Sequence, residues 1–186
     1  MNVLVSACLL GVSCRYDGRS KGHPLAGELL KKHTAIPVCP EILGGLSTPR
    51  APSERRGSGV VTKDGADVTE QYRKGAQEVL RLARLYGCTA AVLKERSPAC
   101  GSGEIYDGTF THTVVDGFGV AAELLAENGI RVLGESELEA FLRESLIGYL
   151  GNYIGCYIGR YIGKRTGTVG ARPFFRYEKG KSIQRI

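Results

Sequence analysis

Apolar residues fall into two kinds of pattern along the first 146 residues. Short, nearly unbroken apolar runs over residues 3–7, 34–38, 89–93 and 130–133 end in turn-forming or polar residues, which predicts four buried β-strands. Between them apolar positions recur every three or four residues, the spacing of one helix face. Pro24 opens a short helix carrying Leu25, Leu29 and Leu30, since Pro suits the first helical position. Asp67 and Glu70 form a capping-box pattern ahead of the best-patterned helix. Its stripe is Tyr72, Ala76, Val79, Ala83 and Tyr86, with Gly87 as the stop. Another helix is expected over residues 118–127, ended by Asn128-Gly129, and a last one is capped by Ser136 and Glu139 and runs through Leu138, Phe141 and Leu142. Residues 43–59 read as a polar loop rich in Gly, Pro and Ser, and residues 60–68, broken by Lys63-Asp64-Gly65, as a small hairpin. Apolar strands alternating with helices predict an α/β fold, a single domain over residues 1–146 with a mostly parallel sheet flanked by helices. Strand order cannot be read from the pattern.

After residue 146 the pattern changes. Tyr149, Tyr153, Tyr157 and Tyr161 begin four-residue units that keep Gly151, Gly155, Gly159 and Gly163 in register. Each such Gly costs a helix roughly 1 kcal/mol relative to Ala. Residues 147–186 therefore read as a low-complexity extension, poorly ordered and dispensable. Charge divides at the same point. The whole chain carries 25 Lys+Arg and 19 Asp+Glu, a net +6 that by itself points toward nucleic acid. Eight of the basic residues and one acid lie beyond residue 146, which leaves 17 basic and 18 acidic residues, a net of −1, in the body. Any contact with RNA phosphates belongs to the tail, where basic residues are interleaved with tyrosines. No apolar run is long enough to predict a membrane span. Val5-Ser6-Ala7-Cys8 resembles a lipoprotein cleavage site but lacks the positive flank and longer apolar stretch of a signal, so a cytoplasmic location is expected.

The six cysteines have no regular spacing and do not form a disulfide framework. Cys8 follows the first strand directly and Cys39 the second, while Cys100 lies just beyond the third, in Ser97-Pro98-Ala99-Cys100-Gly101. In a parallel sheet the carboxyl ends of the strands share one edge, where ligands bind. Three thiolates from three loops then converge at that edge. Cys88 precedes its strand, at the opposite edge, and reads as structural; Cys14 sits in a flexible-looking loop and Cys156 in the tail. Three thiolates with an open position suit an iron–sulfur cluster or a zinc ion with water, and ordinary buried cysteines are the alternative to both. Glu41, two residues after Cys39, and Ser97, three before Cys100, stand beside these thiols. A carboxylate held away from bulk water at such a centre serves as a general acid or base.

Read together, these segments resemble a known family. Cys8-Leu9-Leu10-Gly11, Cys14-Arg15-Tyr16-Asp17-Gly18, Pro37-Val38-Cys39-Pro40-Glu41, Gly44-Gly45-Leu46, Pro49-Arg50, Asp67-Val68-Thr69, Leu93-Lys94, Ser97-Pro98-Ala99-Cys100-Gly101 and Ile105-Tyr106-Asp107-Gly108 are similar to the motifs of the thiouracil desulfidases, a bacterial domain family. The resemblance covers residues 1–146 in order, and the tail has no counterpart in it. It implies a [4Fe-4S] cluster on Cys8, Cys39 and Cys100, with the substrate sulfur bound to the unligated iron, which polarises the C–S bond as a Lewis acid. It further implies that Glu41 and Ser97 handle protons and position water, and that sulfur leaves as hydrogen sulfide with no net redox change. Thiolate-bound iron is soft and selects sulfur over the oxygen of uracil. The implied partners are a small thio-substrate, a thiolated pyrimidine such as 2-thiouracil, and the iron–sulfur assembly machinery. Ala99 departs from the family pattern, in which a second serine is common there. A cluster enzyme acting on another small sulfur compound, a zinc-thiolate protein and an RNA-associated accessory protein are the competing readings.

Weaker signals remain. Gly117-Phe118-Gly119-Val120-Ala121-Ala122 approaches a dinucleotide fingerprint, which requires a preceding strand at the start of the fold. These glycines read instead as a turn or as room for a helix to start close to the Cys100 loop. His23, His33 and His112 are scattered and read as surface or turn residues, and Arg50, Arg55 and Arg56 as a solvated charged loop.

Overall fold

The computed structural model describes residues 1–144, so the expected tail, with Cys156 and its basic residues, lies outside the described residues. In chain order the elements are β1 (Asn2–Ser6), a 3-10 turn (Ala7–Leu10), α1 (Ala26–Lys32), β2 (Thr34–Val38), α2 (Pro40–Leu43), β3 (Ser53–Arg56), β4 (Gly59–Thr62), α3 (Thr69–Leu85), β5 (Ala90–Leu93), β6 (Glu104–Tyr106), β7 (Val114–Asp116), α4 (Val120–Glu127), β8 (Arg131–Gly134) and a 3-10 turn (Glu135–Glu137). Residues 138–144 continue from that turn as a helix.

Each of the four apolar runs becomes a strand of one parallel sheet in the order β2-β1-β5-β8. In the two central strands, β1 and β5, the continuous apolar character follows from burial on both faces, whereas the edge strands β2 and β8 are only partly buried. Leu4, Ala91 and Leu93 face the layer made by α3 and α4, among Val79, Ala83, Ala122 and Leu125. Val3, Val5, Ala90 and Val92 point the other way, onto Leu29 of α1 and onto Leu138, Phe141 and Leu142. The chain leaves β1 toward β2 on one side and returns to β5 on the other. Such a reversal opens a crevice at the carboxyl ends of the strands. Among the described residues no helix is long and apolar enough to cross a membrane.

Several local expectations are corrected. α1 begins at Ala26, two residues after Pro24, and buries Leu29 while Leu30 stays exposed. The stripe of α3 is buried through Ala83, but the helix ends at Leu85 and leaves Tyr86 exposed. Asp67 does not occupy the cap position, which is Val68; its carboxylate accepts the Thr69 N–H at 2.8 Å, and Glu70 pairs with Arg73. At the last helix the cap is made by Glu137, whose carboxylate accepts the Gly134 N–H at 2.8 Å. Ser136 is engaged by Glu95, and Glu139 by Arg143. The loop expected over residues 43–59 contains β3, which pairs antiparallel with β4. The hairpin expected over residues 60–68 forms around Lys63-Asp64-Gly65: Val61 and Asp67 bridge antiparallel, the Thr62 N–H donates to the Ala66 carbonyl at 2.9 Å and the Val68 N–H to the Val60 carbonyl at 3.0 Å.

Candidate active site

Three chain segments leave the carboxyl edge of the sheet, and each is fixed by backbone contacts before any side chain chemistry enters. The first is the 3-10 turn directly after β1, which carries Cys8. The second follows β2, where Cys39 caps the short α2 and Pro40 starts it. Two glycines set its place. A β-carbon on Gly44 would lie 2.0 Å from the Gln71 carbonyl oxygen, and one on Gly75 would lie 1.9 Å from that of Pro40, so α2 and α3 meet backbone to backbone. The third follows β5. Ser97 Oγ accepts the Ala99 and Cys100 N–H groups, both at 3.2 Å, and closes the turn. The carbonyls of Pro98, Ala99 and Gly101 then accept N–H groups of Val120, Ala121 and Gly119 at 2.8 to 2.9 Å. The Cys100 loop thus caps α4 with its own carbonyls, satisfying donors that every helix start leaves open. Gly119 permits this approach, since a β-carbon there would lie 2.4 Å from the Ala99 carbonyl carbon. Ala99, the departure from the family pattern, is buried at that contact.

The three segments border one cavity of about 550 Å³. Cys8, Cys39, Cys100, Glu41 and Ser97 all line it, so the five residues singled out in the sequence meet in one place. Cys14 joins them: it lies in a loop, as read from the sequence, but it is 3% exposed and lines the same cavity. Cys88 is buried in the core next to α3, away from the cavity, as expected of a structural residue.

Cys14, Cys39 and Cys100 resist ionisation here. Hydrogen bonding with Cys14 and then burial push the Cys39 thiol well above its ordinary range. Contact with Cys39 draws Cys14 down, but hydrogen bonding with Cys8 and burial outweigh it and leave Cys14 raised. Burial pushes the Cys100 thiol up to about 12, against hydrogen bonding from Ser6 and Ser97. Thiolates packed this way repel one another and lack water, so a multivalent cationic centre is the natural counter-charge. Among the described residues no group of three His, Cys, Asp or Glu side chains is placed to hold a single metal ion. A soft donor set spread around a cavity fits a polynuclear thiolate-bound centre better than a lone zinc ion.

Glu41 is not an exposed loop acid. Its Oε2 accepts from Arg50 Nε at 2.6 Å, and the two side chains are 15% and 7% exposed. Arg50 also donates to the Cys14 and Ser47 carbonyls and to the Thr48 hydroxyl, each at 3.1 Å. This burial overturns the reading of Arg50 as part of a solvated loop. Arg55 and Arg56 are engaged as well, by Glu123 and by the Gly108 carbonyl. Tyr106, Phe110 and His112 also line the cavity. Phe110 and His112 both adopt positive φ, near +60°. Their segment is anchored by Glu54, a buried carboxylate that accepts the Gly108 and Phe110 N–H groups at 3.0 and 2.9 Å. His112 therefore sits in a turn, as expected, but at the cavity edge. His23 also sits in a turn and accepts the Leu25 N–H, and His33 is buried 5.2 Å from the Phe141 ring.

The dinucleotide reading of residues 117–122 has no support. The strand before them, β7, pairs antiparallel with β6 in a separate hairpin, outside the parallel sheet. Cys14, Arg50, Glu54 and Phe110 are the site residues that position in sequence did not single out. For Cys14 and Arg50 the only available signal was membership of the matching motifs.

Comparison with known proteins places this architecture. Residues 3–137 match the family model described as 2-thiouracil desulfurase. The uncharacterised protein YbbK of Bacillus subtilis is 43% identical over 150 residues, which span 75% of this chain and 99% of YbbK. A solved structure of the [4Fe-4S]-dependent thiouracil desulfidase TudS is 45% identical, with a TM-score of 0.73, covering 78% of this chain and 97% of that one.

Proposed function

The chain belongs to the 2-thiouracil desulfurase family, and from that premise we propose that it is a [4Fe-4S]-dependent desulfidase acting on a thiolated pyrimidine such as 2-thiouracil. The reaction exchanges the exocyclic sulfur of the pyrimidine for the oxygen of water and releases hydrogen sulfide, so atoms balance and no electrons are consumed. The observation that carries this reading is the meeting of Cys8, Cys39, Cys100, Glu41 and Ser97 around one cavity at the carboxyl edge of the sheet.

Cys8, Cys39 and Cys100 would hold the cluster. When bound on three thiolates, a [4Fe-4S] cluster offers one open iron that takes up soft sulfur and polarises the carbon–sulfur bond. The chain does the rest. Arg50 holds one oxygen of Glu41, which aims the carboxylate at the cavity and lets it take a proton from the attacking water. Ser97, with its oxygen fixed by two backbone N–H groups, directs its O–H toward the Cys100 side of the cavity and helps protonate the departing sulfur. Tyr106 and Phe110, which line the same cavity, give a planar ring an apolar face to pack on. Activity resides in residues 1–146, and the tail is dispensable to it. The protein works in the cytoplasm, where its thiols stay reduced and the iron–sulfur assembly machinery loads the cluster.

Anaerobic purification, followed by iron and sulfide analysis and then an assay of sulfide release from 2-thiouracil, tests this reading. Iron and acid-labile sulfide together with turnover support it. Zinc in place of iron, or a loaded protein that releases no sulfide, overturns it.

A further inference from the structure

Tyr72 lies near the start of α3 and is 1% exposed. The helix stripe explains its ring but not its hydroxyl, because a phenylalanine would fill the same space with no polar atom to satisfy. That oxygen is sealed from solvent and has no hydrogen-bond partner among the described residues. An orphaned buried hydroxyl lowers stability and requires an explanation. The groups beside it are the Glu41 carboxylate, the Ser53 hydroxyl and the Arg50 guanidinium, and Tyr72 itself borders the cavity. Its distance from Glu41 is constrained, since Gly75, one turn further along α3, is pressed against Pro40, the neighbour of Glu41. Arg50 occupies Oε2 of Glu41, and no hydrogen bond to Oε1 forms among the described residues. A donor without an acceptor thus stands next to an acceptor without a donor. A hydroxyl closed off from solvent serves the protein group beside it rather than a ligand arriving from the cavity.

We infer that Tyr72 is a positioning residue for Glu41: in the cluster-loaded protein its hydroxyl donates to Oε1 while Arg50 keeps Oε2, and the plane of the carboxylate is fixed toward the cavity. What Glu41 then does rests on the function proposed above, but the hydrogen bond does not.

The test uses the cluster-loaded full chain. Tyr72→Phe is expected to keep its iron and acid-labile sulfide and to melt at the same temperature or higher, because the orphaned group is gone. Its kcat falls by about 10- to 100-fold with KM changed by no more than about twofold, as expected when a catalytic group is present but misplaced. An unchanged kcat, or a fall in kcat that merely tracks lost iron or a lowered melting temperature, overturns the inference. Infrared spectra with isotope-labelled tyrosine give a readout that needs no turnover. A Tyr72 C–O band, identified by its loss in Tyr72→Phe, shifts between the wild type and Glu41→Gln in the presence of uracil, the product of the proposed reaction. No such shift overturns the inference. A loaded wild type that shows the band shift but releases no sulfide from 2-thiouracil overturns the proposed function instead and leaves Tyr72 beside Glu41.

Discussion

The backbone of Gly75 on α3 touches that of Pro40, so closely that a β-carbon on Gly75 would lie 1.9 Å from the Pro40 carbonyl oxygen. Pro40 joins Cys39 to Glu41, so this contact sets the position of a proposed cluster ligand and of the proposed proton carrier together. Neither partner can yield, because the obstacle is backbone rather than a flexible side chain. Gly75→Ala should therefore cost about 1–3 kcal/mol by overpacking, visible as a lower denaturant midpoint. It should also reduce iron per chain after reconstitution.

The four thiols at the cavity divide in their consequences. Serine in place of Cys8, Cys39 or Cys100 should abolish the visible absorption of the cluster and lower iron toward background. Cys14→Ser should retain the cluster. Cys88→Ser, buried on the far side of the sheet edge, should cost about 1–3 kcal/mol of stability without lowering iron per chain. Stripping the cluster from the wild type should lower its melting temperature, since a group bound only by the folded chain stabilises it.

Glu41→Gln is isosteric and should keep the cluster while slowing sulfide release by about 100-fold or more. Arg50→Met should behave differently. It leaves a buried carboxylate without its cation, which costs about 3 kcal/mol, and it removes three further hydrogen bonds that tie residues 14, 47 and 48 to the site. Equilibrium unfolding and steady-state kinetics on the two variants separate the roles: chemistry for Glu41, architecture for Arg50.

Glu54→Ala tests the aromatic rim. It strips the acceptor from the Gly108 and Phe110 N–H groups, at about 1–3 kcal/mol, and releases a segment that holds two non-glycine residues at positive φ. Amide exchange over residues 108–112 should accelerate, and KM for 2-thiouracil should rise more than kcat falls.

The sheet was legible because its strands read as short apolar runs bounded by turns: β1 and β5 are buried on both faces. The edge strand Thr34–Val38 is less buried but has the same ends in the sequence pattern and in the structure. The thiols of Cys8, Cys39 and Cys100 were legible for the same reason, each standing just past a strand end. β3 was not. Ser53-Glu54-Arg55-Arg56 has no apolar alternation, and it is a strand because β4 pairs with it while Glu54 and Arg55 bond distant segments. Cys14 and Arg50 were equally hidden, since their burial depends on how the chain after β1 and the loop after α2 fold over the sheet edge. The predicted caps at Asp67 and Ser136 failed through competition: the Asp67 carboxylate took the Thr69 N–H, and Ser136 was drawn to Glu95.

The placement of the three thiols also sets a schedule for biosynthesis. β1 and β2 pair with each other, so a nascent chain can bring Cys8 and Cys39 side by side early. Cys100 follows α3 and β5 in the chain, and β5 pairs with β1 on the side away from β2. A ribosome-bound chain that ends before residue 100 therefore holds two of the three proposed ligands, so a cluster bound by all three waits for the third.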